Sequence, residues 1–532
     1  MQRCHARPWR VPTWDCGAVD GPFVFCCEIC DDTDRDPRKG WIEQTMLIAR
    51  TFAEISSDNP WQRAYWVTIA LTALLTGAAL LIWGFGIESH WANGCVAAGV
   101  CLVGMYCGIR MILAGGLLGA LPYFLIGSAI FYGAGTVLAA MNPAAMALLS
   151  FTDDVQKTML AKVNLANALS MLLIVAAAGP LCAGLRPAPR NQPGVQGMIK
   201  SLEEWLPGLL IASFAVTFLI WFTFPVPQDF ILGTLVRFLR GLPLFTILLG
   251  AALWDRQTGT TKAMVILLLL AHVLFGMLSF VKLLTLLPVL VLVLGWWLNG
   301  TLVRTALIVT TAVMVLYFAA FAELVAIGRL HTNYDPVLNS VLERVGMLID
   351  SVDMFIEFRK NDIQANVELR FATAPYQAYF MALYDTGFPG DSMEQAKTIL
   401  IPRVFWPEKP ILNPGSEFDL IFRGSVSDSS LAIGFIAEGY WNHGWLGVVI
   451  VSGVVGAQLG WFTRKWFLFT EHGPWHIGIF LFAPLVVYSA AWAEVNFVGG
   501  YVGGTARMIL LIMMIDVIAR IVISHRESQL RI

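Results

Sequence analysis

Long apolar segments separated by short polar ones set the organisation of this chain. A helix that crosses the hydrocarbon core of a bilayer needs about 20 predominantly apolar residues. About twelve segments of the sequence reach or approach that length, so we predict about twelve transmembrane helices. They lie near residues 66–87, 92–109, 118–141, 164–185, 207–224, 230–254, 263–279, 282–298, 304–325, 443–463, 475–492 and 503–524.

One polar stretch is much longer than the others and runs from about residue 326 to residue 432. In its first half, apolar residues recur at helical spacing with charges between them, which predicts a helix over 337–358. The aromatic residues within 376–384 indicate a second helix that lies against the membrane surface. Turn-forming residues follow at 385–390. We expect this segment to fold as a cap on the helix bundle.

Composition supports a membrane protein and argues against a soluble one. Hydrophobic residues make up 57% of the chain and charged residues only 14%. The 19 tryptophans suit the aromatic belts at membrane surfaces, and the near-neutral charge gives no sign of nucleic-acid binding. The predicted fold is therefore an all-α polytopic membrane protein. It has about twelve transmembrane helices and one large extracytoplasmic loop between helices 9 and 10.

The distribution of basic residues predicts the orientation. With the N-terminus inside, the inner segments beyond the tail contain twelve Lys and Arg, and the outer segments other than the long loop contain six. Both termini are then cytoplasmic and the long loop is outside. The predicted parts are a tail at 1–60, helices 1–9 within 61–325, the cap loop at 326–432, helices 10–12 within 433–525 and a tail at 526–532.

The N-terminal tail differs in character from the rest of the chain. Five of the nine cysteines lie in its first thirty residues, and Cys27 and Cys30 have the CxxC spacing found in metal sites. No second CxxC pair follows and His5 is the only histidine nearby, so the sequence does not favour a metal site there. The alternatives are an unstructured tail and a true start at Met46.

Basic residues near the predicted outer surface are the first candidates for function, because charge at a membrane is energetically costly. Arg237 and Arg240 lie three residues apart on one helix face, and guanidinium groups match the oxygens of a pyrophosphate. In the alternative, both extend to anionic lipid headgroups. Lys282 separates two apolar runs, so it either ends a helix at the interface or places a cation in a cavity.

The segment 399–447 combines prolines and charges in a way that a spanning helix does not tolerate. Its prolines flank Arg403 and would hold that guanidinium on a stiff support, and Lys409 and Arg423 add positive charge. The alternative is a structural ion pair between Arg403 and a nearby glutamate.

Acid–base chemistry has two candidates just after this block. Glu438 and His443 lie among small and aromatic residues, and activation of a sugar hydroxyl needs a carboxylate or an imidazole. In the alternative, Glu438 is a helix-end residue that accepts backbone N–H groups. Glu494, Asn496 and Arg507 flank a glycine-rich outer loop that permits close backbone approach, or that is a plain flexible turn.

The order of helices, the large outer loop and three sequence blocks together resemble a known family. The blocks are FGMLSFVKLLTLLPVLVLVLG, IPRVFWPEKP and SLAIGFIAEGYWNHGWLG. The chain resembles bacterial oligosaccharide repeat-unit polymerases of the Wzy type, which are broadly similar to O-antigen ligases. The first block is similar to their Ser-x-x-Lys helix break, here Ser279 and Lys282. The likeness spans about 60–525, but its specific part is confined to 275–300 and 399–447.

The resemblance implies an inverting glycosyl transfer in the bacterial inner membrane, with no metal and no other cofactor. A glycan would leave undecaprenyl pyrophosphate and join a hydroxyl of an incoming lipid-linked repeat unit. Flippase and chain-length regulator proteins are the implied partners. The base is Glu438 or His443, and the implied pyrophosphate-binding residues are Arg237, Arg240, Lys282, Arg403, Arg423 and Arg507.

Three alternatives to a polymerase stay open at the level of sequence. An O-antigen ligase would use the same chemistry with another acceptor. A polytopic transporter or flippase of lipid-linked glycans would show repeats between halves and broken helices. The third is a structural outer cap that binds a partner enzyme.

Overall fold

Helices account for all the regular secondary structure in the part of the chain that the structure describes. This computed structural model describes residues 59–87, 89–141, 152–186, 202–222, 239, 241–280, 282–300, 305, 308–309, 312, 324, 327–328, 341–360, 373–401, 406, 408, 414–423 and 431–530. The N-terminal cysteine cluster, the predicted helix at 304–325 for the most part, and the first half of that at 230–254 lie outside these ranges.

The α-helices are numbered in chain order over the described parts of the sequence. In order they are α1 (Pro60–Gly84), α2 (His90–Leu113), α3 (Ala120–Met141), α4 (Asp153–Cys182), α5 (Leu206–Phe222), α6 (Gly241–Ala252), α7 (Gly259–Leu278), α8 (Lys282–Asn299), α9 (Val341–Lys360), α10 (Ala374–Asp385), α11 (Ala396–Leu400), α12 (Pro414–Arg423), α13 (Phe435–His472), α14 (Ile477–Ala491) and α15 (Ala506–Leu530).

Six of these helices are long and apolar enough to cross a membrane, namely α1, α2, α3, α4, α7 and α13. Shorter apolar helices, α5, α6, α8 and α14, lie at other positions where the sequence predicts spans. Two π-helical stretches interrupt the regular geometry, at Ala129–Ala134 within α3 and at Phe497–Thr505 before α15. An all-helical membrane-type architecture is therefore present, as the hydrophobic pattern predicts.

Helices α4 and α13 form the centre of the bundle and run parallel. The hydroxyl oxygens of Ser170 and Ser452 are 2.7 Å apart, and further along the two helices Gly456 faces Ile174 and Gly460 faces Ala178. A Cβ on Gly456 would lie 2.5 Å from the carbonyl oxygen of Ile174. Small residues thus let the two backbones approach closely, as is common between membrane helices.

Helix α13 is broken at His443 and Gly444, which have non-helical backbone angles. Gly444 has a φ of +58°, in the left-handed region that glycine adopts without steric penalty. Residues 439 and 447 would be about 12 Å apart along an unbroken helix. Instead, a Cβ on Gly439 would lie 2.9 Å from the carbonyl oxygen of Gly447. The short segment 435–442 therefore folds back against the long segment that follows, and we call this arrangement the α13 hairpin.

The long loop supplies helices that pack against the bundle. The helix predicted over 337–358 is α9, and the one predicted near 376–384 is α10. The sequence places α10 on the membrane surface, but in the structure Ala374 and Ala378 are fully buried. Reciprocal amide hydrogen bonds of 3.2 and 3.3 Å join Gln377 to Asn167 of α4. The small residues of α10 let it enter the bundle, which the aromatic residues alone do not indicate.

Candidate functional site

The carboxylate of Glu438 lies inside the α13 hairpin and is fully shielded from solvent, with 0% exposure. The Ser392 hydroxyl donates to its Oε1 at 3.0 Å, and the backbone N–H of Phe497 donates to its Oε2. Ser392 begins a short 3-10 helix between α10 and α11, and Phe497 begins the π-helical stretch before α15. The side chain of Glu438 therefore joins the α13 hairpin to the segments just before α11 and α15.

Asn442 extends this network. Its Nδ2 donates to the Ser392 hydroxyl at 3.0 Å and to the carbonyl of Glu438 at 2.8 Å, and its Oδ1 accepts from the N–H of Met393 at 3.0 Å. Because the Ser392 oxygen accepts from Asn442, its own hydrogen is available to Glu438. Both oxygens of Glu438 thus accept hydrogen bonds, which fix the position of the carboxyl group from two sides.

His443 occupies a different position from Glu438, although the two are only five residues apart. It lies at the tip of the α13 hairpin and is exposed, whereas Glu438 is buried behind it. The adjacent Gly444 packs against Tyr384 of α10, whose ring would lie 2.9 Å from a Cβ at that position. Only the histidine of these two candidates is accessible to a molecule at the surface.

A charged cluster beside the hairpin was not predicted from the sequence. The ammonium of Lys162 in α4 forms an ion pair with Oδ2 of Asp385, and the Tyr440 hydroxyl donates to Oδ1 at 2.9 Å. The same ammonium lies 4.5 Å from the centre of the Tyr440 ring, a cation–π contact. Lys162 and Asp385 are widely separated in sequence, and the only signal was that Asp385 begins the turn predicted at 385–390.

Aromatic rings surround the tip of the hairpin. The ring centroids of Tyr384 and Tyr440 are 5.4 Å apart, those of Tyr440 and Trp445 are 5.3 Å apart, and those of Trp445 and Trp83 are 6.0 Å apart. These edge-on contacts are the favoured geometry for aromatic pairs. They fix the hairpin against α1 and α10 and leave His443 at the rim of an aromatic surface.

The structure describes little of the predicted cationic site. Arg237, Arg240 and Arg403 lie outside the described residues, and so do the side chains of Lys282 and Arg423. Arg507 is described and is exposed in the first turn of α15.

The helix break around Ser279 is present. Helix α7 ends at Leu278 and α8 begins at Lys282, and the Ser279 hydroxyl donates to the carbonyl of Phe275 at 2.7 Å. Phe280 has a φ of +46°, an uncommon conformation for a residue other than glycine. Backbone strain of this kind is often found at functional positions.

The glycine-rich stretch before α15 is an ordered part of the same junction. Asn496 accepts from the N–H of Ile433 at 3.0 Å and donates to the carbonyl of Leu431, so it fixes the chain that enters the α13 hairpin. A Cβ on Gly503 would lie 3.0 Å from Ile399, which shows how closely α11 approaches. This glycine therefore takes part in close packing and does not serve only as a flexible turn.

The described residues form only helices, six of them candidate spans, and pair polar side chains between helices, as Ser170 with Ser452, which defines the class of a helical membrane protein. No protein-family model, curated protein or solved structure matches the chain. The function therefore has to be argued from the hairpin, its buried carboxylate and its exposed histidine.

Proposed function

We propose that this protein is a membrane glycosyltransferase that polymerises undecaprenyl-pyrophosphate-linked oligosaccharide repeat units into a surface polysaccharide. In this proposal it lies in the bacterial inner membrane with about twelve spans, both termini cytoplasmic and the cap loop outside. The observation that carries the proposal is the α13 hairpin, which exposes His443 at its tip and buries Glu438 in a hydrogen-bond network five residues earlier. The resemblance of three sequence blocks to the polymerase family supplies the reaction class.

His443 is the better candidate for the base, since Glu438 is buried and both its oxygens accept hydrogen bonds. The neutral imidazole takes the proton of the acceptor hydroxyl as the oxygen attacks the anomeric carbon. The bond from that carbon to the pyrophosphate oxygen breaks, and the electron pair leaves with the pyrophosphate. Glu438 is a positioning residue that holds the hairpin in shape.

The leaving pyrophosphate needs positive charge around it as its own negative charge develops. Arg237, Arg240 and Arg403 are the proposed clamp, and Lys282, Arg423 and Arg507 assist. Guanidinium groups suit this role because they bind phosphate oxygens in pairs and stay charged at any working pH. An O-antigen ligase would use the same groups and differ in its acceptor.

A second function, transport of lipid-linked glycans across the membrane, is favoured by one observation. Transporters build their binding sites where helices are interrupted. The described chain has such interruptions at His443–Gly444 in α13 and in the π-helical stretches Ala129–Ala134 and Phe497–Thr505. The polar groups at the α13 break are nevertheless joined to each other by hydrogen bonds, which fits a rigid reaction site better than a moving one.

Glycan chain length in a strain that lacks the protein tests these alternatives directly. A polymerase predicts single repeat units on the final acceptor, and a ligase predicts chains of normal length that stay on the lipid carrier. A flippase predicts no product in the outer leaflet. Either of the last two results would contradict the proposed polymerase.

The base can be tested with purified protein in vesicles that contain a lipid-linked oligosaccharide. We expect His443→Ala to slow chain extension by about 10²-fold or more, the contribution of general base catalysis. His472→Ala is the matched control, because His472 is also exposed and lies at the other end of α13. Full activity of the His443 variant would exclude this histidine as the base.

A further inference from the structure

Helix α9 exposes a continuous apolar stripe. The exposed fraction is 83% for Leu342 and 58% for Ile349, and three more aliphatic residues continue the row. The spacing alternates between three and four residues, so all five side chains lie on one side of the helix. The stripe consists of Leu342, Val345, Ile349, Val352 and Ile356.

The other sides of α9 have different characters. Exposed acidic residues occupy one adjacent sector, namely Glu343, Asp350, Asp353 and Glu357. A third sector faces the protein, since Arg344 and Ser351 are buried. With 100° of rotation per residue, the apolar stripe covers roughly 80°, and the acidic sector begins beside it. One helix thus presents a protein-facing, an apolar and an acidic side.

The surroundings of α9 indicate what covers the stripe. Helix α9 packs against α7, which is one of the six candidate spans. Helix α7 exposes Leu267, Leu270 and Leu274. Exposed leucines on a spanning helix face lipid chains. Four acidic side chains in the hydrocarbon core of the bilayer would be energetically costly, so α9 itself does not span the membrane. A helix beside a lipid-facing span, with one apolar and one charged side, fits the boundary between lipid and water.

We propose that α9 is an in-plane membrane helix, with its apolar stripe among the lipid chains and its acidic sector in water. The four carboxylates of that sector repel anionic headgroups, so the surface that the sector fits is a zwitterionic one. Helix α9 would then anchor the long loop at the depth of the lipid headgroups. This inference does not depend on the proposed glycosyl transfer.

The competing occupant is a second copy of the chain. Spacings of three and four residues also suit the seam of a coiled coil. The contact of α9 with α7, a candidate span that exposes leucines of its own, is the reason to favour lipid.

Photolabelling of the unmodified full-length protein tests the proposal. The protein is placed in phosphatidylcholine bilayers that contain a phosphatidylcholine with a diazirine on its acyl chain, and adducts are mapped by mass spectrometry. We expect adducts on the stripe at a yield several-fold above that on the acidic sector. The peptide with Leu267 and Leu270 of α7 is the internal positive control. Replacing part of the lipid by phosphatidylglycerol should not raise the yield on α9.

A variant separates lipid contact from accidental labelling. Ile349→Glu should lower the adduct yield on the stripe severalfold and leave the yield on α7 unchanged. Labelling of α7 without any labelling of the stripe would overturn the proposal. So would cross-linking of two full-length copies by the Ile349→Cys variant where the parent, with its own cysteines, does not cross-link, because a second copy would then occupy the surface.

Discussion

Gly439 and Gly447 lie backbone against backbone, so closely that a Cβ on Gly447 would overlap the carbonyl oxygen of Gly439. This contact closes the α13 hairpin. It thereby keeps Glu438 buried inside the hairpin and His443 exposed at the tip. Val451 also reaches Gly439, with a methyl carbon 2.8 Å from the place of a Cβ. No larger residue fits at either glycine unless the backbone moves.

We therefore expect Gly447→Ala to destabilise the protein by roughly 1–3 kcal/mol, the usual range for overpacking a core. Thermal unfolding in detergent, followed by tryptophan fluorescence, measures the change. Gly453→Ala is the matched control, because Gly453 lies in the same helix with no atom within 4 Å of a Cβ there. That change should be neutral or stabilising by up to about 1 kcal/mol, since alanine favours helix over glycine. Equal stability of the two variants would contradict the hairpin contact.

The hydrophobic pattern predicts the helices well and their breaks only in part. Apolar segments of sufficient length give helices such as α1, α2 and α7 near the expected places, because burial of the backbone in lipid leaves few other structures. The break between Ser279 and Lys282 was also expected, from a local motif. The break at His443 coincides with the start of the span predicted at 443–463, but the short helical segment 435–442 before it was not predicted. That segment folds back through the contact between Gly439 and Gly447, which a hydrophobic pattern does not reveal.

The candidate site, too, can be predicted from the sequence only in part. Glu438 could be selected from the sequence because it is a single carboxylate in an apolar segment. Its partners Ser392 and Phe497 are 46 and 59 residues away, so only the folded chain reveals them. The pair of Lys162 and Asp385 joins residues separated by 223 positions. Contacts of this kind depend on how the helices pack, and the pattern of one sequence does not determine that packing.

The Ser392 hydroxyl is the link between Glu438 and Asn442, and its removal gives the second prediction. Ser392→Ala leaves a carboxylate oxygen and an amide N–H buried with one partner fewer each. An unsatisfied buried polar group costs about 1–3 kcal/mol, so the midpoint of thermal unfolding should fall. Thr386→Ala is the control, since Thr386 is exposed and its hydroxyl bonds only to its own helix. That variant should stay within about 0.5 kcal/mol of the parent.

Conservative substitution at Glu438 separates its hydrogen-bonding role from its charge. Glu438→Gln keeps an acceptor for the N–H of Phe497 but presents an amide where Ser392 now donates. We expect its stability to lie between that of the parent and that of Glu438→Ala, with glycan transfer falling in the same order. A Glu438→Gln protein of parental stability without transfer activity would instead assign Glu438 to the chemistry.

A buried ion pair at the far end of α13 gives the fourth prediction. The ammonium of Lys465 lies 2.7 Å from Oδ2 of Asp516 in α15, and Oδ1 accepts from the N–H of Gly478 at 2.9 Å. Removing one partner of a buried pair costs about 3–5 kcal/mol, because the other charge stays buried without compensation. Lys465→Met should be destabilised to that extent. The double variant Lys465→Met/Asp516→Asn should recover much of the loss, since asparagine still accepts from Gly478.

Thermal unfolding of the four proteins in a double-mutant cycle measures this coupling. Strictly additive effects of the two substitutions would show that the pair does not stabilise the contact between α13 and α15. A control pair is available in Glu203 and Arg256, which are 3.9 Å apart and largely exposed. Their removal should change stability by less than about 1 kcal/mol.

His476 gives a prediction for the dependence of stability on pH. It lies in the turn between α13 and α14, with Nδ1 3.4 Å from the ammonium of Lys465 and 3.6 Å from Oδ2 of Asp516. Burial lowers its pKa below the usual value and the charge of Lys465 lowers it further, with a smaller contribution from Arg520, while Asp516 acts in the opposite direction. The folded protein thus holds this histidine neutral at pH values where the unfolded chain already binds a proton.

Proton linkage gives the direction in which stability changes with pH. An unfolded histidine has a pKa of about 6.5, so above that pH neither state is protonated at this position and the histidine adds no pH dependence. As the pH falls below about 6.5, the unfolded chain gains a proton first and stability decreases, until the pH passes the lower pKa of the folded state. We expect the unfolding midpoint to fall between pH 7.5 and pH 5, and to fall less in His476→Gln. His472→Gln, at an exposed histidine four residues earlier, should keep the parental dependence. Identical pH profiles for the parent and His476→Gln would show that the buried imidazole contributes nothing.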